Sequence, residues 1–257
     1  MFRFVALFLA VPLAAQISGG KWSFGVYSAT PELTGYYRDS GGLQTYFDIQ
    51  DDFKLEKDKM GLGIHVDYSG NRFGFSLDYG YNDYAGQSRI NRVIQMGGYN
   101  FPVGMDVTSA LKNTAFEISW TTKVLRWNQA WLGVDVGIQG WYLDIQANGT
   151  PADHIFQYVD TEANEVYTVP IPQLGVSGGF QGLKDRLALV GKAHFLAYKG
   201  AKYTRLVADA RYYFLPWLGV RAFVESQSLD APDSSIIEDI EVKLDRNGFG
   251  FGVVGRW

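Results

Sequence analysis

The chain has 257 residues, no cysteine and a formal net charge of −4, with charges of both signs scattered along it. This excludes a disulfide-stapled scaffold and offers no basic patch for nucleic acid. Aromatic residues make up 16% and glycine contributes 30 residues, which suits strands joined by tight turns, while a mean hydropathy of −0.09 does not exclude a membrane barrel, whose strands are half polar by construction.

Residues 1–15 read as a secretory signal peptide: Arg3 supplies the charge, an apolar run extends from Phe4 to about Leu13, and small residues precede a cut after Ala14 or Ala15. Export follows, and residues 16–257 form one expected domain. The apolar run is too short to span a bilayer as a helix, and no later segment approaches the roughly 18 uninterrupted apolar residues that a spanning helix needs.

In the first strand, over 21–38, Trp22, Phe24 and Val26 alternate with Ser23, Gly25 and Tyr27. A polar stretch over 39–59, with Asp51, Asp52, Glu56 and Asp58, reads as an exposed loop. The clearest pair follows: Leu62, Ile64, Val66 and Tyr68, then a tight turn at 69–71, then Phe73, Phe75, Leu77, Tyr79 and Tyr81. Residues 83–103 read as a second loop, with an extended hairpin over 83–115 as the alternative.

The fourth strand sets Phe116, Ile118, Trp120 and Val124 against Glu117, Ser119, Thr121 and Lys123. The fifth sets Leu132, Val134, Val136 and Ile138 against Gly133, Asp135, Gly137 and Gln139. After a polar loop over 147–166, Pro170 and Pro172 confine the pairing at the start of a sixth strand. The seventh (187–198) carries Lys192 and His194 on its polar face. The eighth (203–214) carries Val207, Asp209 and Arg211, and the ninth Arg221, Phe223, Glu225 and Gln227. An acidic loop over 229–241 precedes the tenth, in which Phe249, Phe251, Val253, Gly255 and Trp257 share one face and Gly250, Gly252, Val254 and Arg256 the other.

The recurring order is long polar loop, strand, tight turn, strand, with no sustained helical periodicity. If the chain starts at one rim, the tight turns gather there and the longer loops lie opposite, apart from a short link near 199–202. The leader, the strands at 62–68 and 73–81 and the terminal Phe249, Phe251, Val253 and Trp257 together resemble bacterial outer-membrane β-barrel proteins over essentially the whole mature sequence. That resemblance implies a closed antiparallel barrel of about ten strands in the cell outer membrane, surrounded by lipid and lipopolysaccharide. It also implies that the terminal aromatic strand, here ending in Trp where most members end in Phe, is the signal read by the barrel-assembly machinery. A monomer is expected.

The inward faces then collect Arg72, Lys123, Lys192, Arg211, Arg221 and Arg256 against Asp67, Asp78, Glu117, Asp135, Asp209 and Glu225, with His194 beside Lys192. An unpaired charge in a confined lumen costs several kcal/mol in order of magnitude, so these groups are expected to pair across a lumen filled by side chains. A non-enzymatic barrel serving envelope integrity or surface interaction is the leading reading. A narrow pore and a barrel-embedded lipid or peptide hydrolase are the alternatives. For the hydrolase, His65 with Asp67 and Asp78 is the raw material of general-base catalysis, but no His-x-Ser pair accompanies it. His154 near Asp153 and Asp160 fits no recognised metal spacing, and no cofactor is expected. The acidic loops could hold divalent cations, and Arg89 and Arg92 could meet lipopolysaccharide phosphates.

Overall fold

The computed structural model describes residues 20–257 apart from 40–44, 58, 97–98, 151–160, 199 and 233–239. The expected leader, the His154 group and most of the acidic loop before the last strand lie outside the described residues. The strands in chain order are β1 (Lys21–Asp39), β2 (Thr45–Asp48), β3 (Gly61–Ser69), β4 (Phe73–Arg89), β5 (Ile94–Met96), β6 (Tyr99–Phe101), β7 (Asp106–Arg126), β8 (Ala130–Thr150), β9 (Thr161–Gly182), β10 (Leu187–Tyr198), β11 (Ala201–Tyr213), β12 (Leu218–Ala231) and β13 (Ile240–Arg256).

Eleven of these form one sheet, in which β2 only flanks the upper end of β1, and the remaining ten close on themselves through the β1–β13 pairing. At this seam Val26 lies opposite Val253, and Trp22 and Trp257 exchange backbone hydrogen bonds of 3.0 and 3.1 Å. The expected ten-stranded closed barrel is therefore the observed one, and the described residues contain no helix. Its antiparallel order places the N-terminal end of β1, the four short turns and Trp257 at one rim. The described parts of the longer connections, and Gly200 between β10 and β11, lie at the other.

The outer face is apolar and has no second layer over it. Val26, Ile64, Ile118, Val134, Val136, Val176, Leu206, Val220 and Val253 are all exposed on it. Near the tight-turn rim the rings of Trp22, Tyr68, Phe73 and Trp120 run as a ladder across β1, β3, β4 and β7, with successive centroids 5.0, 5.8 and 5.1 Å apart. A second set of exposed aromatics, Tyr79, Tyr81, Phe116, Tyr142 and Tyr198, lies toward the other rim. From Phe73 to Tyr81 the rise is roughly 20 Å for a strand tilted by about 40°, close to the apolar band of a membrane barrel.

Beyond that second belt the alternation keeps its faces and reverses its chemistry. On β8 the lumen side passes from Gly133, Asp135 and Gln139 to Trp141, Leu143, Ile145 and Ala147. The outer side passes from Val134, Val136 and Ile138 to Asp144, Gln146 and Asn148. β4, β7 and β9 make the same exchange, so their strands continue above the membrane as a wall that is dry inside and polar outside. This corrects the loop reading of 83–103 in favour of the extended hairpin, since β4 and β7 pair from Phe73 opposite Thr122 up to Arg89 opposite Asp106. It also shortens the expected loop over 147–166, where β8 and β9 pair as far as Gly149 opposite Thr161. Pro170 and Pro172 sit where β9 has left its ladder with β10, which ends at Leu174 opposite Phe195, so their missing N–H groups cost no pairing on that side.

The described part of the stretch over 39–59 is not wholly a solvated loop either. Ile49, Phe53 and Leu55 are buried inside the wall with Ile94, Met96, Phe101 and Met105 from the β5–β6 hairpin region, packed on Leu111, Trp141, Leu143 and Ile145. Leu55 bridges to Gly86, and a Cβ at Gly86 would stand 2.2 Å from the Phe53 carbonyl oxygen, so glycine is what lets the two backbones meet. Tyr84 donates to the Pro31 carbonyl at 2.7 Å and Ser109 to the Phe53 carbonyl at 3.1 Å. The result is an apolar plug across the long-loop end of the barrel.

Candidate functional site: the charged lumen

Below the plug the lumen is lined by buried charged and amide side chains, which are tolerable where water reaches poorly only because they pair with one another. The tier next to the plug is a relay of amides. Gln173 Nε2 donates to Gln139 Oε1 at 2.8 Å and to Tyr203 Oη at 3.0 Å, Tyr203 Oη donates to Gln139 Oε1, and Gln139 Nε2 donates to Gln227 Oε1 at 2.9 Å. Gln227 in turn donates to Glu225. This relay runs from β9 through β8 to β12, so it crosses the barrel instead of following its wall.

Glu225 begins the second tier. It is paired with Arg205 and lies 3.3 Å from Arg246, and Arg205 reaches on to Glu117 on β7. Lys192 Nζ stands 3.8 Å from the other Glu117 oxygen and donates to Ser76 Oγ at 2.7 Å. Nearby, Thr121 donates to Asp135, and His194 Nε2 is 3.8 Å from the second Asp135 oxygen. The imidazole of His194 fits only because position 175 is glycine: a Cβ there would lie 2.3 Å from His194 Cδ2.

The third tier, nearer the tight-turn rim, centres on His65. Its Nδ1 is 2.7 Å from Asp78 and its Nε2 is 2.7 Å from Asp67 and 2.9 Å from an Arg211 nitrogen. Arg211 also pairs with Asp67 and, at 2.8 Å, with Asp209, while Ser23 donates to Asp67 at 2.9 Å. Arg221 joins the group through Asp209. Since β11 and β3 are separated by three strands on one side and five on the other, the Arg211–Asp67 pair is a second cross-lumen strut.

Most of the expected ladder is thus brought together: Asp67, Asp78, Glu117, Asp135, Lys192, His194, Asp209, Arg211, Arg221 and Glu225 all face the lumen network. Three cations depart from it. Arg72 lies in the exposed β3–β4 turn and not on an inward strand face. Lys123 faces inward at the rim but donates to Ser69 Oγ and the Gly70 carbonyl, 2.9 and 2.8 Å away, with Trp131 beneath it at 4.9 Å. Arg256 donates to the carbonyls of Pro216 and Asp185 over the Tyr213 ring. Beside it in the β9–β10 turn, a hydrogen bond from Lys21 and then its charge hold the Asp185 carboxyl below the usual range.

Arg205 and Arg246 take the places that these cations leave, and both were missed. Arg205 shares its strand face with Val207, Asp209 and Arg211 inside the expected eighth strand, and Arg246 shares its face with Gly248 through Arg256, so parity alone could have found both. At the long-loop rim, Arg92 is committed to Asp52, which also accepts from the Asp48 amide at 2.7 Å. That clasp ties the two plug segments together and removes Arg92 as a phosphate contact, leaving Arg89 exposed. Among the described residues no group of three or more His, Cys, Asp or Glu could hold a metal ion.

No family model matches the chain, and no curated protein does. Solved structures do. The outer-membrane protease OmpT of Escherichia coli superimposes with a TM-score of 0.60 at 10% identity, covering 92% of this chain and 96% of that one. Ail of Yersinia pestis, in complex with sucrose octasulfate, is matched over 93% of this chain and 99% of its own at 10% identity with a TM-score of 0.35, and Neisserial surface protein A over 90% and 96% at 10% identity with a TM-score of 0.29. With the closed ring, the uncovered apolar outer face and the OmpT superposition together, the chain has the fold of a bacterial outer-membrane β-barrel.

Proposed function

We propose that the protein is a non-enzymatic, non-conducting barrel of the outer membrane that serves envelope integrity or surface interaction through its long-loop end. The observation that carries this reading is the double closure of the lumen. The apolar plug fills one end, and Arg205–Glu117–Glu225 and Arg211–Asp67 brace the space below it. Eight-stranded barrels are filled by their own side chains and water channels need about 16 strands, so ten strands with such struts leave no continuous path.

The hydrolase alternative gains nothing from His65. Both of its nitrogens are engaged, and the residue is 1% exposed. A general base needs a lone pair aimed at substrate. In this reading the aromatic outer face of β13, with Phe249, Phe251, Val253 and Trp257, is what the barrel-assembly machinery engages, and the folded chain acts as a monomer among lipid and lipopolysaccharide.

The test is electrical. Purified protein folded into planar bilayers is expected to give no single-channel steps at either polarity. Reproducible steps from the wild-type chain would overturn the proposal in favour of a pore.

A further inference from the structure

The chain as a whole is acidic, with a net charge of −4, and its tight-turn rim is basic. In the four tight turns and the two residues on either side of each, Arg72, Arg126, Lys184 and Arg186 stand against one carboxylate side chain, Asp185. Asp185 is already bridged to Lys21 at 3.0 Å. The four cations are all exposed, and none has a carboxylate within 4.0 Å among the described residues. At the long-loop end cations and acids are mixed: Arg38 is bridged to Glu241, Lys57 to Glu32 and Arg92 to Asp52.

Apolar side chains stand between these cations. Trp127 beside Arg126 and Trp217 in the β11–β12 turn are both 58% exposed, and Leu183 beside Lys184 is 65% exposed. The β9–β10 turn holds Leu183 there at a conformational cost, since Leu183, Lys184 and Asp185 are all left-handed, with φ of 51, 55 and 67°. Two contacts from neighbouring strand ends fasten that turn: the Lys21–Asp185 bridge, and a 2.7 Å hydrogen bond from Arg256 to the Asp185 carbonyl. A polyanion in water would give Trp127, Leu183 and Trp217 nothing to bury. A phospholipid surface accepts both kinds of side chain at one depth. Indole rings and long cations settle at headgroup level, and each Lys or Arg there adds attraction to an anionic leaflet.

We propose that the tight-turn rim is a docking surface for anionic glycerophospholipid. Arg72, Arg126, Lys184 and Arg186 engage the headgroup phosphates, while Trp127, Leu183 and Trp217 enter the boundary of the acyl chains. This surface lies at the opposite end of the barrel from the long-loop face. It rests on the membrane placement of the fold and is independent of whether the lumen conducts.

The tryptophans report on this rim. Trp141 belongs to the plug, and the other six of the seven lie at or near the tight turns. The chain is folded into phosphatidylcholine vesicles that contain a minor share of either brominated phosphatidylglycerol or brominated phosphatidylcholine, and quenching of tryptophan fluorescence is compared. The anionic quencher is expected to be preferred by about threefold or more, with the preference eroding as salt rises. The variant Arg72→Gln/Arg126→Gln/Lys184→Gln/Arg186→Gln is expected to bring the two lipids close to parity, with its folded, heat-modifiable gel band retained. Removing four cations from the long-loop end instead, in Lys54→Gln/Lys57→Gln/Lys202→Gln/Lys243→Gln, is expected to leave the preference unchanged. Equal quenching by the two lipids in the wild type, or a preference that both variants keep or both lose, would overturn the assignment.

Discussion

Replacing Arg205 with alanine is expected to cost about 3–5 kcal/mol of barrel stability, the loss typical of removing one partner from a buried charge cluster. Arg205 is 7% exposed and links Glu117 on β7 to Glu225 on β12 across the lumen. Without it Glu117 keeps only Lys192 at 3.8 Å and Glu225 keeps only Arg246 at 3.3 Å and the Gln227 amide. The penalty lies chiefly in the stranded carboxylates and not in the lost attraction. The combination Arg205→Met, Glu117→Gln and Glu225→Gln is therefore expected to recover most of the loss. Urea unfolding in lipid bilayers, followed by tryptophan fluorescence, measures both, and a loss below about 1 kcal/mol for Arg205→Ala would show that water already solvates this tier.

Trp141→Ala is expected to cost a comparable amount, about 3–5 kcal/mol, for a different reason. Trp141 is 1% exposed and sits where β8 leaves the membrane, its indole filling the base of the apolar plug between Ala115 on β7 and Val169 on β9. Truncation removes buried area and leaves a cavity that the stiff strands cannot close. Trp141→Phe is the informative control. The indole N–H has no hydrogen-bond partner, so this change gives up volume and no polar contact, and the expected loss is under about 1.5 kcal/mol. A large loss in the phenylalanine variant would mean that the N–H is satisfied in solution.

The membrane-embedded part of the barrel was legible because a lipid-facing strand announces itself by period two. Phe73 to Tyr81 against Gly74 to Gly80, and Phe249 to Val253 against Gly250 to Val254, fixed both the faces and the rim at which the chain turns. The upper wall was not legible by the same rule. Where β8 passes Gly140 the apolar positions move from even to odd numbers, so the pattern looks as if the strand has ended when only the solvent outside it has changed. Ile49, Phe53 and Leu55 were hidden for a related reason: they are three apolar side chains among seven charged or amide neighbours, and only the wall they enter makes them a core.

In the lumen, parity identified the inward residues and could not say which would meet. His65 with Asp67 and Asp78 was readable, being on the adjacent strands β3 and β4, with His65 opposite Asp78. The Arg205–Glu117 and Arg211–Asp67 pairs were not, because they depend on the stagger that the strands adopt when the sheet closes. Counting Arg72 and Arg256 as lumen cations gave a balanced ledger of charges. In the folded chain Arg205 and Arg246 supply that balance, and Arg256 stays at the tight-turn rim on the Pro216 and Asp185 carbonyls.

The most direct test of the whole arrangement is whether the outer face needs lipid. The mature chain would be refolded in buffer alone and in detergent or lipid vesicles, then compared by migration of boiled and unboiled samples on gels and by sedimentation. A chain facing hydrocarbon with Val136, Ile118 and Phe251 is expected to aggregate in buffer, and to fold in detergent or lipid with a band that shifts on boiling. A soluble, monomeric, folded species in buffer alone would mean that those side chains are covered by something other than a membrane, and would contradict the account.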